Sequence, residues 1–243
     1  MAAGYALARP AVHPHIINRI RAMLKITTPL PNALDIGCGA GLSASPLTTL
    51  AECVCGIDPV HAMVRQATLA APSVHFITAA AEALPFPENS IHLITAAGSL
   101  NYTNLDAFFP EARRILTPGG ALVVYDFSQG SRFSNSPKLE EWFDIFRKRY
   151  PAPPNSGRPL SPSILAEMAA GFKLSTSEEF VTSIPLTASA YLEYIMTETN
   201  IGHAIRNGAT PQEVRAWLGS SLGPVFNIQT MDVLFPSYTA YLK

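Results

Sequence analysis

Three glycines at alternate positions, Gly37, Gly39 and Gly41, follow directly on the apolar run Ala33-Leu34-Asp35-Ile36, and they constrain the chain more than any other stretch. Such a run reads as a buried strand, and the glycines let the backbone turn tightly and lie bare against a ligand. A helix is expected to follow. Gly56-Ile57-Asp58-Pro59 then closes a second strand, so a carboxylate stands about 20 residues beyond the glycine turn, where it can accept hydrogen bonds from both hydroxyls of a ribose. A dinucleotide fingerprint, G-x-G-x-x-G, would need glycine where this chain has Leu42. With no pyrophosphate to cradle, the G-x-G-x-G spacing fits a nucleoside with a single short tail better than NAD.

Further segments follow in a recognisable order. Val74-His75-Phe76-Ile77-Thr78 reads as a third strand, Glu82-Ala83-Leu84-Pro85-Phe86-Pro87 as a loop, and Ile91 to Ala96 as a fourth strand. Glu111 to Gly120 reads as a helix closing into a glycine turn, and Ala121 to Asp126 as a fifth strand. Taken together, residues 33–127 resemble the class I S-adenosylmethionine-dependent methyltransferases, in particular the small-molecule branch with the ubiquinone/menaquinone and trans-aconitate methylating enzymes. The Tyr5-to-His15 stretch, with Arg9-Pro10, is only faintly similar to that family's N-terminal Tyr, Arg-Pro pattern.

The resemblance implies an α/β fold: a Rossmann-like, seven-stranded, mostly parallel sheet with helices on both faces and a helical lid insertion. It implies S-adenosylmethionine as cofactor and S-adenosylhomocysteine as product. Gly37, Gly39 and Gly41 would wrap the methionine part, with Asp35 supporting the turn. Asp58 would hold the ribose, Pro59 and Met63 would flank the adenine, and Ala81 and Glu82 would meet its edge. The aspartate common before that alanine is Ala80 here, which shifts recognition of the adenine amino group to Glu82 or to backbone. Ala97, Gly98 and Ser99 would lie behind the sulfonium, with Asn101 and Tyr102 where the methyl group emerges.

Composition narrows the partners. Charged residues are only 14% of the 243, net charge is −1, and the basic residues are scattered, so the electrostatic footprint of a nucleic-acid binder is missing. No apolar run is long enough to cross a bilayer. Cys38, Cys53 and Cys55, an odd number beside predicted strands, read as reduced thiols of a cytoplasmic protein rather than as a disulfide framework. No His, Cys and carboxylate cluster has ligand spacing, so no metal site is expected. Nothing in the sequence addresses the oligomeric state.

The whole chain, 1–243, is expected to be one methyltransferase domain. Residues 1–32 would form an N-terminal helical cover, because Ile16, Ile17, Ile20, Met23 and Leu24 recur at helical spacing. Residues 33–127 would be the cofactor core, with lid elements within 128–171 and 187–226. A helix from Leu139 to Tyr150, one from Pro162 to Ala170, a strand from Phe172 to Ser183, helical stretches at Ala188–Ile205 and Thr210–Leu218, and a last strand from Asp232 to Leu242 complete the reading. Trp142, Tyr191 and Tyr194 are candidate linings of an apolar acceptor pocket beneath that lid. Methyl transfer from a sulfonium is a direct displacement that needs alignment and exclusion of water more than a dedicated base. The expected activity is methylation of an O or C atom of a small, weakly charged metabolite. Two alternatives share the cofactor site: a cyclase or dehydratase on the same fold, and a ligand-binding regulatory module without turnover.

Overall fold

A computed structural model describes residues 8–154 and 157–243. One mixed sheet runs through the molecule. Its first five strands are β1 (Leu30–Ile36), β2 (Ala51–Asp58), β3 (His75–Thr78), β4 (Ile91–Ala97) and β5 (Leu116–Phe127), all parallel to one another in the order β3-β2-β1-β4-β5. The chain builds outward from β1 to β3, then returns to place β4 on the other side of β1. That reversal leaves a crevice at the carboxyl ends of β1 and β4, the place where open α/β sheets bind ligands.

The central strands are apolar runs because both sheet faces are covered. Side chains alternate between two cores. Leu34, Ile36, Ile94, Ala96, Leu122 and Val124 pack on one side, against α3 (Leu105–Ile115). Ala33, Leu93, Ala121, Val123 and Tyr125 face the other side, which holds α1 (Val12–Met23) and the lid helices. The N-terminal periodicity is realised in α1, whose Val12, Ile16, Ile17 and Ile20 are buried.

Beyond β5 come β6 (Arg132–Phe133), α4 (Lys138–Arg149), α5 (Pro162–Met168), β7 (Leu174–Leu186), α6 (Ala188–Met196), α7 (Thr199–Arg206), α8 (Pro211–Phe226) and β8 (Met231–Leu242). β8 lies antiparallel between β5 and β7. The two-residue β6 pairs with Leu234 and Val233 of β8, extending the edge that β5 occupies, and so makes an eighth strand in place of the seven expected. Among the described residues no helix is long and apolar enough to cross a membrane.

Several local expectations shift. After the glycine turn there is no α-helix but a 3₁₀ helix, Ser45–Thr49, since Pro46 has no N–H and the Thr48 and Thr49 hydroxyls bond back to the Ser45 and Pro46 carbonyls. The glycine turn at Gly119-Gly120 lies inside β5 as an irregularity of the β4–β5 pairing rather than before the strand. The single stretch Ala188–Ile205 is two helices, and α8 runs on to Phe226 because Leu222 and Phe226 are buried. Cys53 is exposed, unlike Cys38 and Cys55.

Candidate functional site

The crevice is built from the ends of β1, β2 and β4. Gly37, Gly39 and Gly41 all take positive φ, at +66°, +52° and +88°. Their reasons differ. A Cβ on Gly37 would sit 2.3 Å from that of Ser99, so only a bare backbone lets the β1 turn meet the β4 turn, where the Ser99 hydroxyl donates to the Ile36 carbonyl at 2.6 Å. Gly41 is pressed against Phe76 and Ala67, away from the crevice, while Gly39 faces open space. Asp35 is fully buried beneath the turn, accepting from the Ser43 hydroxyl at 2.5 Å and the Thr95 hydroxyl at 2.7 Å. Burial pushes its carboxyl up to about 6 despite those hydrogen bonds.

Asp58 ends β2 with its carboxylate spread across the turn: one oxygen accepts from Gly39 N–H at 3.0 Å, the other from Val60 N–H at 2.8 Å. Each oxygen keeps a further lone pair, so the carboxylate both fastens the turn and can receive hydroxyl donors. Around it opens a cavity of about 380 Å³ lined by Gly37, Asp58, Pro59, Val60, Ala81 and Glu82, and closed by Ala97 and Gly98 at its inner end. Met63 is not among its walls; Val60, one turn earlier, stands beside Pro59 instead. Glu82 accepts from Asn104 N–H at 2.8 Å, which ties the loop to the start of α3. The same loop is held further on by Glu111, which accepts from Leu84 N–H at 2.9 Å, and by Arg114, which donates to the Leu84 and Phe86 carbonyls. The Arg114 guanidinium holds the Glu111 carboxyl down at about 2.

Ala97 and Gly98 are shared with a second, inner cavity of about 230 Å³. Its walls are not the apolar surface expected. They include Arg9, His13, Asp126, Gln129, Tyr194 and Glu198. Arg9 pairs with Glu198 at 2.6 Å and stands 5.4 Å from the Tyr194 ring centre, and Gln129 donates to the other Glu198 oxygen. His13 packs edge-on to Tyr125 and Phe127, and its Nδ1 lies 3.0 Å from the Tyr125 hydroxyl. Burial, with the Arg9 charge, pulls this imidazole down to about 4. Asp126 and Phe127 in turn open onto an outer cleft of about 600 Å³, which also holds Asn101.

Of the candidate acceptor residues, Tyr194 lines the inner cavity and Asn101 the outer cleft. Tyr102 does neither: it is 69% exposed and lines the nucleoside-sized cavity. Trp142 and Tyr191 are lid core. Trp142 stacks on Trp217 and donates to the Ser221 hydroxyl at 2.9 Å, and Tyr191 donates to the Gly130 carbonyl at 2.6 Å with no exposed surface. Asp126, Gln129 and Glu198 were not singled out by the sequence, and Tyr5 lies outside the described residues.

A protein-family model described as "Methyltransferase domain" matches residues 34–124. A ubiquinone/menaquinone biosynthesis C-methyltransferase of Hahella chejuensis is 32% identical over 102 residues, covering 42% of this chain and 36% of that protein. The demethylmenaquinone methyltransferase of Tropheryma whipplei is 36% identical over 103 residues, 41% of this chain and 43% of its own length. The chain thus spans well under half the length of these relatives. A solved structure from Anaeromyxobacter dehalogenans, assigned as a type II methyltransferase, has the same fold with a TM-score of 0.69 at 24% identity, covering 92% of this chain and 94% of the other. Residues 34–124 are thus similar to methyltransferase domains, and the chain shares the Rossmann-like α/β fold of that solved structure.

Proposed function

We propose that this chain binds S-adenosylmethionine and transfers its methyl group to an O or C atom of a small molecule. The observation that carries the reading is the continuous path from Asp58, past the bare Gly37 backbone, to Ala97 and Gly98. A side chain at Gly37 would collide with Ser99 and push the β4 turn away, so the bare backbone keeps Ala97 and Gly98 in one cavity with Asp58. Asp58 would receive the ribose hydroxyls, Pro59 and Val60 would pack on the adenine face, and Ala81 and Glu82 would meet its edge. Asp35 takes no part in contact; buried under the turn, it holds Ser43 and Thr95 and so fixes where Gly37 points. Ala97 and Gly98, shared by both cavities, would lie behind the sulfonium, and the inner cavity with Arg9 would receive the amino-acid end.

When bound, the cofactor supplies the methyl electrophile. The chain's residues supply alignment and exclusion of water: the glycine turn and Asp58 hold one end, and the Arg9–Glu198 pair roofs the other. Calorimetry with S-adenosylmethionine, S-adenosylhomocysteine and NAD tests the cofactor. Binding of the first two and not of NAD is expected, and binding of NAD alone refutes the proposal. Formation of S-adenosylhomocysteine during turnover then separates methyl transfer from a cyclase or dehydratase on the same fold.

A further inference from the structure

The two inner walls of the site meet at one side chain. Asp126, at the end of β5, lines both the inner cavity and the outer cleft. It stands hard against the turn that closes the nucleoside cavity: a Cβ on Gly98, which has φ +60°, would lie 2.8 Å from Asp126 Oδ1. The carboxyl is held in place, Oδ1 accepting from Phe127 N–H at 2.8 Å and Oδ2 from the Asn101 amide at 3.4 Å. Burial raises its proton affinity above that of an ordinary carboxyl, the direction needed in a base.

The outer cleft has a matching character. Among the described residues that line it, the charged side chains are Asp126 and Glu179, both acidic. Apart from the Asn101 amide the other walls are apolar or hydroxyl-bearing, with Phe180, Leu160 and the 52% exposed Val181 among them. An anionic acceptor would enter against two like charges with no lysine or arginine among the described lining residues, and that costs affinity.

Resting on the cofactor reading above, we propose that Asp126 faces the sulfonium from the acceptor side and is the carboxylate on which a non-anionic, hydroxyl-bearing acceptor docks. The acceptor's O–H bond breaks and its proton passes to Asp126. The oxygen lone pair forms the new C–O bond as the S–C bond breaks, and that electron pair returns to sulfur. Asn101 is the positioning partner that keeps Oδ2 turned toward the cleft.

A test needs no knowledge of the natural acceptor. S-adenosylmethionine carries the sulfonium charge and S-adenosylhomocysteine does not, so only the former feels a carboxylate that faces it. In Asp126→Asn, calorimetry should show S-adenosylmethionine weakened by about tenfold or more and S-adenosylhomocysteine by less than about twofold. Equal weakening of both, or of neither, overturns the placement. Failure of the wild-type protein to bind either ligand overturns the cofactor reading itself and is thereby told apart. The cleft is tested on the wild-type protein saturated with S-adenosylhomocysteine, using 2-naphthol and 2-naphthoate as probes in saturation-transfer NMR. Naphthol should bind at least about tenfold more tightly than naphthoate. Equal binding, or no naphthol signal, overturns the assignment of the cleft to uncharged hydroxylic acceptors.

Discussion

The nucleoside cavity and the inner cavity of this site are built by different means. The first is made of backbone: turns at Gly37 and Gly98, N–H groups of Gly39 and Val60 on Asp58, and a carboxylate no more than 19 residues from either of those partners. The second is made of side chains from distant segments, Arg9 with Glu198 across 189 residues and His13 with Tyr125 across 112. Short-range backbone geometry leaves a pattern in the sequence. Long-range pairing of side chains leaves almost none.

The sharpest way to break this contrast is at the glycines. Gly37→Ala places a Cβ 2.3 Å from that of Ser99 at φ +66°, so the β4 turn must move. Left-handed strain and overpacking together should cost about 3 kcal/mol or more, with loss of cofactor binding. Gly39→Ala has a similar φ, +52°, but meets nothing within 4 Å, and should cost only about 1 kcal/mol. Urea unfolding of both variants measures the gap. Equal losses would mean that backbone strain alone, and not the approach of β1 to β4, sets the glycine requirement.

Next in size is the inner cavity. Glu198 keeps only 7% of its side chain exposed and Arg9 21%, so Arg9→Met strands a mostly buried carboxylate with Gln129 and Tyr194 as its remaining partners. After discounting for the exposure of Arg9, a loss of about 2 kcal/mol is expected. Hydrogen exchange should show the lost protection in α1, α6 and α7 and not in β1 to β4. Equal loss throughout would show that the two sides do not open separately.

Acid gives the two sides opposite signs. Asp35 is raised from 3.8 to about 6 in the folded protein, so it binds its proton more tightly folded than unfolded. Its contribution is full below 3.8 and is lost as pH rises to about 6. His13 is lowered from 6.5 to about 4, so its contribution is full above 6.5 and is lost as pH falls toward 4. Relative to wild type, Asp35→Asn should therefore gain stability as pH rises through this window, by on the order of 2–3 kcal/mol. His13→Asn should gain as pH falls, by less, because its ring keeps some contact with solvent. Unfolding midpoints at several pH values decide it, and slopes of the same sign for both variants would refute the assignment.

What could be read in the sequence follows the same division. Gly37 and Asp58 sit at strand ends whose positions the apolar runs mark, and Ala97 and Gly98, singled out only by the family resemblance, line the same cavity at the end of β4. Met63 gave way to Val60 because a helix start moves the inward-facing residue by a few positions. Trp142 and Tyr191 were indistinguishable in sequence from pocket residues, since a lid core and an acceptor wall draw on the same aromatic side chains. Tyr102 ends a short 3₁₀ turn, Leu100–Tyr102, that places it on the nucleoside side. Asp126 marked only the end of a strand, and Gln129 and Glu198 carried no local signal. Only their partners, each on another element, make them visible.

The smallest expected effect lies in the lid, where local pattern and structure agree. Thr210 accepts from Glu213 N–H at 3.2 Å while Glu213 accepts from Thr210 N–H at 3.0 Å, a reciprocal cap on α8 that the Thr-Pro-Gln-Glu sequence announces. α8 packs on α6 and α4 and supports Tyr194 only indirectly, through Tyr191 and Phe226. Thr210→Ala should therefore cost about 1 kcal/mol of stability and leave affinity for S-adenosylhomocysteine within about twofold. A larger loss of affinity than of stability would mean that the end of α8 reaches the ligand through the lid, and that the inner cavity depends on local caps as the nucleoside cavity depends on its turns.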